Sequence, residues 1–557
     1  MIRFAPIVAI AALAGLASAR QDETKAGLSG SALIDSIVRA KWESAEVKPL
    51  SRCDDAEFLR RVSLDLVGRI PKPEMAAEFL ASKASDKREK LVDQLIAGDE
   101  YAAYWAEYWT GTFLGYDDAP QYEIAYYSML KSMRELVAKT ARYDEFATAL
   151  LTVDGKTTEN GLIFYWVRTQ MSAGRDMPMA LTGKFSRVFL GMQIDCAQCH
   201  DHPFDKWTQE DFYGMAGFFS KVNTRQIEPM NPRAGYQLII PTAARPPEGM
   251  EKGMGLKGLM SGDLTIPGQK EPTKTHFLGT DKGPDKKEER RAAFARLLTA
   301  KDNAQFGRAA VNRYWGHFFG KGVVDPIDDF SAKNTPWSAE LLDKMGADFV
   351  AHGTDIKWLV KAIVLSDVYQ LTSKAKKSDR DVLKAFAQSR MRALSPEQIM
   401  HSVVRALGLE AAYAGDIDLK DMGPGEMKGK GMAELKAMRE KRQLLDAIRQ
   451  FRFNFGDDEG ADHTEFQGTI PQALLMMNSD IVAKGLQVKG ETRLAQILKD
   501  HARPGDRVAA IFLAVLSRRA TEGEIAKFAA FAARRGDEGY GDVMWTLLNS
   551  SEFLLNH

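Results

Sequence analysis

The pentapeptide Cys196-Ala197-Gln198-Cys199-His200 sets two thiols three residues apart, with an imidazole directly after the second. This is the spacing at which c-type haem is attached. Two thiolates one helical turn apart reach the two vinyl groups on one edge of a porphyrin, and the adjacent histidine lies under the iron as its proximal ligand. Covalent haem c on Cys196, Cys199 and His200 is therefore the leading expectation, with electron transfer or haem-based oxidation as the chemistry. Sulfur is otherwise scarce. Of 557 residues only 3 are cysteines, and the third, Cys53, stands alone just before an expected helix.

Other chemistries compete for the same residues. The segment continues Asp201-His202-Pro203-Phe204-Asp205-Lys206-Trp207. Cys196, Cys199 and His200 with His202 or Asp205 form a donor set for a non-haem zinc or iron ion, although structural zinc sites usually draw pairs from separated segments. A redox-active Cys196–Cys199 disulfide calls for a strand-then-helix context that the surrounding sequence lacks. A plain disulfide beside surface histidines, in a non-catalytic scaffold, is the simplest reading. Under the haem reading the sixth ligand stays open. Met192, Met215, His202, His276 and His317 qualify on chemistry, but His202 is too near His200 to reach the opposite iron face. An open sixth position would favour small-molecule or peroxide chemistry.

Elsewhere the signals are weaker. There is no Gly-rich phosphate loop, no G-x-S-x-G and no H-E-x-x-H. Asp328-Asp329 and Asp457-Asp458-Glu459 read as caps or solvated faces. Met-rich stretches around Met250–Met260 and Met422–Met432 have thioethers suited to copper(I), yet read as surface loops. Whether the chain is an enzyme, an oxidoreductase, is left open by the residues alone.

The N-terminus has one positive charge at Arg3, an apolar run from Phe4 to Leu16, and Ala17-Ser18-Ala19. That is the pattern of a secretory signal cleaved after Ala19, which sends the mature chain to the periplasm or another exported location. No later stretch is long and apolar enough to span a bilayer. Lys+Arg and Asp+Glu are both 75, so there is no basic footprint for nucleic acid. The partner expected is a redox protein.

The elements that must position the pentapeptide are helices. Apolar residues recur at helical spacing over Ser31–Trp42, Ala56–Val67 (closed by Gly68), Lys72–Ser82, Lys87–Ala97 and Tyr101–Thr112. A helix over Met179–Gly191 leads into Cys196, and another follows over Glu210–Phe219. The Gly-, Pro- and Met-rich stretch 223–287 reads as a linker or insertion with one strand-like piece, Tyr236–Ile240, and a possible small hairpin. From Glu288 helices resume, among them Gln305–Phe319, Ser338–His352, Ile356–Ser366, Pro396–Leu407, Gln443–Phe451, Pro471–Gln487, Pro504–Leu516 and Asp542–Leu555. The fold class is mostly α: a signal over 1–19, a helical domain over 31–222, the linker 223–287, and a second helical domain over 288–557 with a flexible insertion near 410–440.

Phe58-Leu59-Arg60-Arg61-Val62, Leu64-Asp65-Leu66-Val67-Gly68 and Phe189-Leu190-Gly191 through Asp205, with Trp207, Gln209, Asp211-Phe212-Tyr213 and Phe218-Phe219, resemble the planctomycete-type cytochrome c-like domain. Val311-Asn312-Arg313 with Trp315, Phe319-Gly320-Lys321-Gly322, Asp328-Asp329-Phe330, Tyr369-Gln370 and Trp545 to Phe553 resemble the domain usually fused to it. Both are domains of unknown function. The resemblance implies c-type haem and electron transfer, on a single candidate haem, since the separate cytochrome c module of many relatives is lacking. In the family pattern Asp201, His202 and Asp205 travel with the cysteines, which raises a second-metal or chemical role for them. Met215, His317, Arg313 and Asp329 are the candidates for a distal ligand or for the face that the second domain presents to the site.

Overall fold

The computed structural model describes residues 29–115, 123–228, 235–240, 262–375, 379–413, 431–432, 439 and 480–557. The expected signal peptide, both Met-rich stretches but for residues 431–432, and the helix expected over Gln443–Phe451 lie outside them.

The fold is mostly α. Among the described residues ten helices precede the irregular middle: α1 (Gly30–Ser44), α2 (Asp55–Val67), α3 (Pro73–Ala81), α4 (Lys87–Ala97), α5 (Asp99–Leu114), α6 (Glu123–Lys139), α7 (Tyr143–Thr152), α8 (Ile163–Ala173), α9 (Met177–Phe185) and α10 (Gln209–Ala216). After it come α11 (Arg290–Leu298), α12 (Ala304–Phe319), α13 (Ala339–Ala351), α14 (Ile356–Val364), α15 (Arg380–Lys384), α16 (Pro396–Ala406), α17 (Asp480–Gly485), α18 (Arg493–Asp500), α19 (Pro504–Leu516), α20 (Glu522–Ala533), α21 (Asp537–Leu548) and α22 (Ser551–Leu554). The described strands form two antiparallel ribbons: β1 (Asn223–Gln226) with β2 (Tyr236–Ile239), and β3 (Arg392–Ala393) with β4 (Leu555–Asn556). Local chemistry sets several ends. The Asp54 carboxylate accepts the Glu57 N–H at the start of α2, and Gly68, at φ 66°, closes it in the left-handed conformation that favours glycine. Ser395 and Gln398 form a reciprocal capping box on α16, with Pro396 in the first turn.

The packing does not divide where the composition changes. One apolar core gathers residues from Leu33 to Ala387, and a second gathers Leu394 to Phe553 together with Leu64 and Ile70. The domain boundary expected near 288 is therefore not a boundary of the core. α11 packs on α7, while α13 and α14 pack on α1, so helices 290–364 bury their apolar faces against the N-terminal ones. Nor is 223–287 a loose linker where it is described. The expected hairpin is present as β1–β2, and residues 262–283 wrap α10, burying Ile266, Thr275, Phe277 and Leu278.

Helix α2 joins the two cores through buried charge. Glu57 accepts from Thr372 Oγ1 (2.8 Å) and from Ser373 N (2.6 Å), and pairs with Arg61. Arg61 also donates to the carbonyls of Tyr369 and Leu371, and Arg60 to that of Phe553 (2.7 Å). Asp65, at 0% exposure, accepts from Tyr369 Oη (2.7 Å), Arg392 Nη2 (2.6 Å) and Asn556 Nδ2 (2.7 Å). Removing one member of a buried charged pair strands the other, which costs about 3–5 kcal/mol. Asp65→Ala is expected to lower the unfolding free energy by about that much, measured by urea denaturation at neutral pH. A loss under about 1 kcal/mol would rule out the hub.

Candidate functional site

The chain enters the pentapeptide from α9. Instead of continuing as one helix to Gly191, α9 ends at Phe185 and widens into a π-helical turn over Ser186–Leu190. Helix α12 supplies further donors to the carbonyls at this end. Arg313 Nε donates to Val188 O (3.2 Å) and its Nη2 to Arg187 O (3.3 Å), while Gln305 Nε2 donates to Leu190 O (2.7 Å). Gly191 follows at φ 64°, and a Cβ there would lie 2.6 Å from the Phe330 ring. Phe330 N donates to Gly191 O (2.8 Å), and Gln193 Nε2 to Asp328 Oδ1 (3.1 Å). The carboxylate that reaches the segment is thus Asp328. Asp329 closes its own turn, taking Ser331 N on Oδ1 (3.3 Å) and Asn334 Nδ2 on its carbonyl (3.0 Å).

Cys196 sits in a 3₁₀ turn over Asp195–Gln198, and Cys199 terminates it. The two thiols are thus three residues apart, one inside the turn and one at its C-cap. Both are exposed and unpaired, while Ala197 between them is buried. Asp195 anchors the turn, paired with Arg187 at 2.8 Å and pressed against Gly183, where a Cβ would meet its Oδ1 at 2.0 Å. His200 is exposed, and its Nδ1 lies 2.8 Å from Asp201 O. A donated Nδ1–H fixes the tautomer and leaves Nε2 as the ligating nitrogen, the usual support for a metal-bound histidine.

The acids and the second histidine of the segment are engaged in holding its shape. Asp201 Oδ1 accepts Gln209 N (3.0 Å) at the start of α10, where negative charge is favoured. Gln209 Nε2 returns to Gln198 O (3.3 Å). His202 N donates to Trp207 O (2.7 Å), and His202 Nδ1 lies 3.4 Å from Phe204 N. Asp205 Oδ1 accepts Lys206 N (2.8 Å), and Thr208 with Asp211 makes a capping box. No three acidic, cysteine or histidine side chains among the described residues converge into a metal cage. Tyr213 of α10, which the sequence offered only as part of the family resemblance, belongs here. Burial pushes its phenol upward, and the neighbouring Cys199 and Asp176 push the same way.

Two proposed distal ligands are committed elsewhere. Met215 is buried, and its Sδ accepts Leu278 N at 3.1 Å, so its thioether faces the wrapping segment. His317 donates from Nε2 to Asp65 O (3.0 Å), among the rings of Trp105 (4.8 Å), Phe318 (5.0 Å) and Tyr108 (5.2 Å). It is a core-edge histidine that ties α12 to α2. His276 packs on Gly214 with Nδ1 2.9 Å from Lys274 O, and Met192 is half-buried beside the core. A cleft of about 710 Å³, lined by Leu486, Val488, Lys489, Glu538, Asp542 and Trp545, contains none of these residues.

Fold and site together define a mostly α chain that holds an exposed Cys-x-x-Cys-His loop on a packed helical base. Residues 33–224 match the family model PSCyt2, described as a protein of unknown function (DUF1549), and residues 290–532 match PSD1, a protein of unknown function (DUF1553). The chain belongs to the planctomycete-type family in which these two domains are fused in this order. No curated protein and no solved structure matches it significantly. Among the described residues no helix is long and apolar enough to cross a membrane.

Burial pushes the His317 imidazole down to about 4 from an ordinary 6.5. A depressed histidine stabilises the fold fully above its unfolded value, and that contribution is lost as pH falls through the folded one. The unfolding free energy should therefore drop by up to ~3 kcal/mol between pH 7 and pH 4. The drop should shrink in His317→Gln, measured by denaturant titration at both values. An equal pH slope in both proteins would remove His317 as its source.

Proposed function

We propose that this chain is an exported c-type cytochrome-like redox protein carrying one covalent haem on Cys196, Cys199 and His200. The observation that supports the reading is the pair of exposed thiols three residues apart, followed by an imidazole whose Nδ1 is already engaged. Cys196 and Cys199 would hold the haem as two thioethers, a linkage that thiols make to vinyl groups without an oxidant or a leaving group. Bound haem supplies one-electron chemistry at its iron. Cys196 and Cys199 fix the macrocycle to the turn, and His200 presents Nε2, oriented by the Asp201 carbonyl. The arginine and glutamine of α12 keep the entering segment from shifting. With Met215 and His317 engaged elsewhere and His202 too near His200, a further iron ligand would have to be His276, Met192 or an exogenous small molecule, which separates electron carriage from haem-based oxidation. The sequence pattern of Met1–Ala19 supports export, and with it the compartment where such haem is attached.

The alternative, a zinc or iron ion on Cys196, Cys199, His200, His202 and Asp205, is less well supported. Its second histidine and its aspartate already serve backbone groups of the loop.

The test is to produce the full chain with its own leader alongside a cytochrome c maturation system and to stain a denaturing gel for haem peroxidase activity. A stained band at the mass of the chain and a Soret absorption are expected. Cys196→Ala should weaken the band, and Cys196→Ala with Cys199→Ala should abolish it. A colourless protein holding stoichiometric zinc would overturn the proposal in favour of the non-haem site.

A further inference from the structure

Two ends of one loop from the second family domain bracket the thiol–imidazole segment. Asp328 holds Gln193 at 3.1 Å, three residues before Cys196. Lys333 Nζ lies 3.3 Å from the centroid of the Phe204 ring, four residues after His200. The first contact is backed by the Phe330–Gly191 hydrogen bond and by close packing at Gly191. The second has no such backing. Phe204 is 57% exposed, Lys333 is exposed, and Phe204 is an apolar ring left at the surface of a loop otherwise held by its own backbone bonds.

We infer that residues 328–333 are a clasp for the Cys196–Phe204 segment, anchored at Asp328 and releasable at Lys333, and that Lys333 is a positioning residue for the site. An ammonium over an aromatic face is attracted by the ring quadrupole. Here it fixes the distal end of a loop whose proximal end is already fixed, so that Cys199 and His200 are held from both sides. Lys333 also places a positive charge beside the segment. Resting on the haem reading, this charge favours the reduced iron, which carries one positive charge fewer. The clasp itself stands on the unloaded chain, so it can be tested separately.

The test uses the full chain, without haem and after maturation, as wild type, Lys333→Ala and Lys333→Arg. Both side chains are exposed, so the substitutions leave the core intact, and thermal unfolding checks this. In the unloaded chain, amide exchange over residues 199–207 and alkylation of Cys199 should rise about fivefold in Lys333→Ala, the factor expected from losing one such contact. Lys333→Arg, which keeps the cation over the ring, should restore both. In the matured chain the haem reduction potential should fall in Lys333→Ala and recover in Lys333→Arg. Unchanged exchange and alkylation would overturn the clasp whether or not haem is present. A protein that never stains for haem, yet loosens on Lys333→Ala, would keep the clasp and discard the haem reading.

Discussion

Four charged side chains of one helix, Glu57, Arg60, Arg61 and Asp65, are shut away from water, and the rest of the molecule is arranged to make that tolerable. Charges lose several kcal/mol each on leaving solvent unless they are paired and fully hydrogen-bonded. The partners here come almost wholly from distant sequence: Tyr369, Thr372 and Ser373 after α14, Arg392 on β3, Phe553 and Asn556 at the end of the chain. Within the N-terminal segment only the Glu57–Arg61 pair would survive, and Asp65 would lose Tyr369, Arg392 and Asn556. These buried contacts tie the two family domains together, as does the apolar core that spans them.

The same logic reaches the thiol loop. An exposed loop of small and polar residues has little apolar area with which to fix itself. Its stiffness is imported. Arg313, Gln305 and Phe330 from the second domain hold the chain up to Gly191, and the capping interactions of α10 hold it again from Asp201 onward. Only the short 3₁₀ turn and His200 project between these supports. A site that must keep two sulfurs and one nitrogen in a fixed relation benefits from supports on both flanks.

Much of this was legible in the sequence. Helical periodicity located α1, α2, α4, α12, α16 and α19 within a few residues, and Gly68 was readable as a cap because glycine adopts the left-handed conformation and Pro71 and Pro73 forbid the helix to continue. Other features were not. Composition marked 223–287 as linker, yet Ile266, Phe277 and Leu278 are buried, Leu278 bonding Met215 of α10 and Phe277 packing on Phe294 of α11, because a few well-spaced apolar residues suffice where a groove already exists. The helix over 179–191 is α-helical only to Phe185 and a π turn beyond, whose carbonyls take bonds from Arg313 and Gln305, more than a hundred residues away. His317 and Met215 were chosen as ligand types. What they bond to is decided by tertiary neighbours that no local pattern encodes.

The roles of Asp201, His202 and Asp205 turn on the same distinction. Their recurrence beside the cysteines invites a catalytic or metal-binding reading, because acids and histidines are the residues that do such work. In the folded chain Asp201 caps α10, Asp205 caps its own turn, and His202 closes the loop through its backbone to Trp207. A loop that must stay rigid while exposed needs internal acceptors for its N–H groups, and short acidic side chains supply them at the smallest entropic cost. The side chains of Asp201 and Asp205 are thus accounted for by the shape of the loop, while His202 contributes mainly its backbone. The two thiols and His200 Nε2 have no comparable structural employment among the described contacts, and that contrast supports placing the chemistry on Cys196, Cys199 and His200.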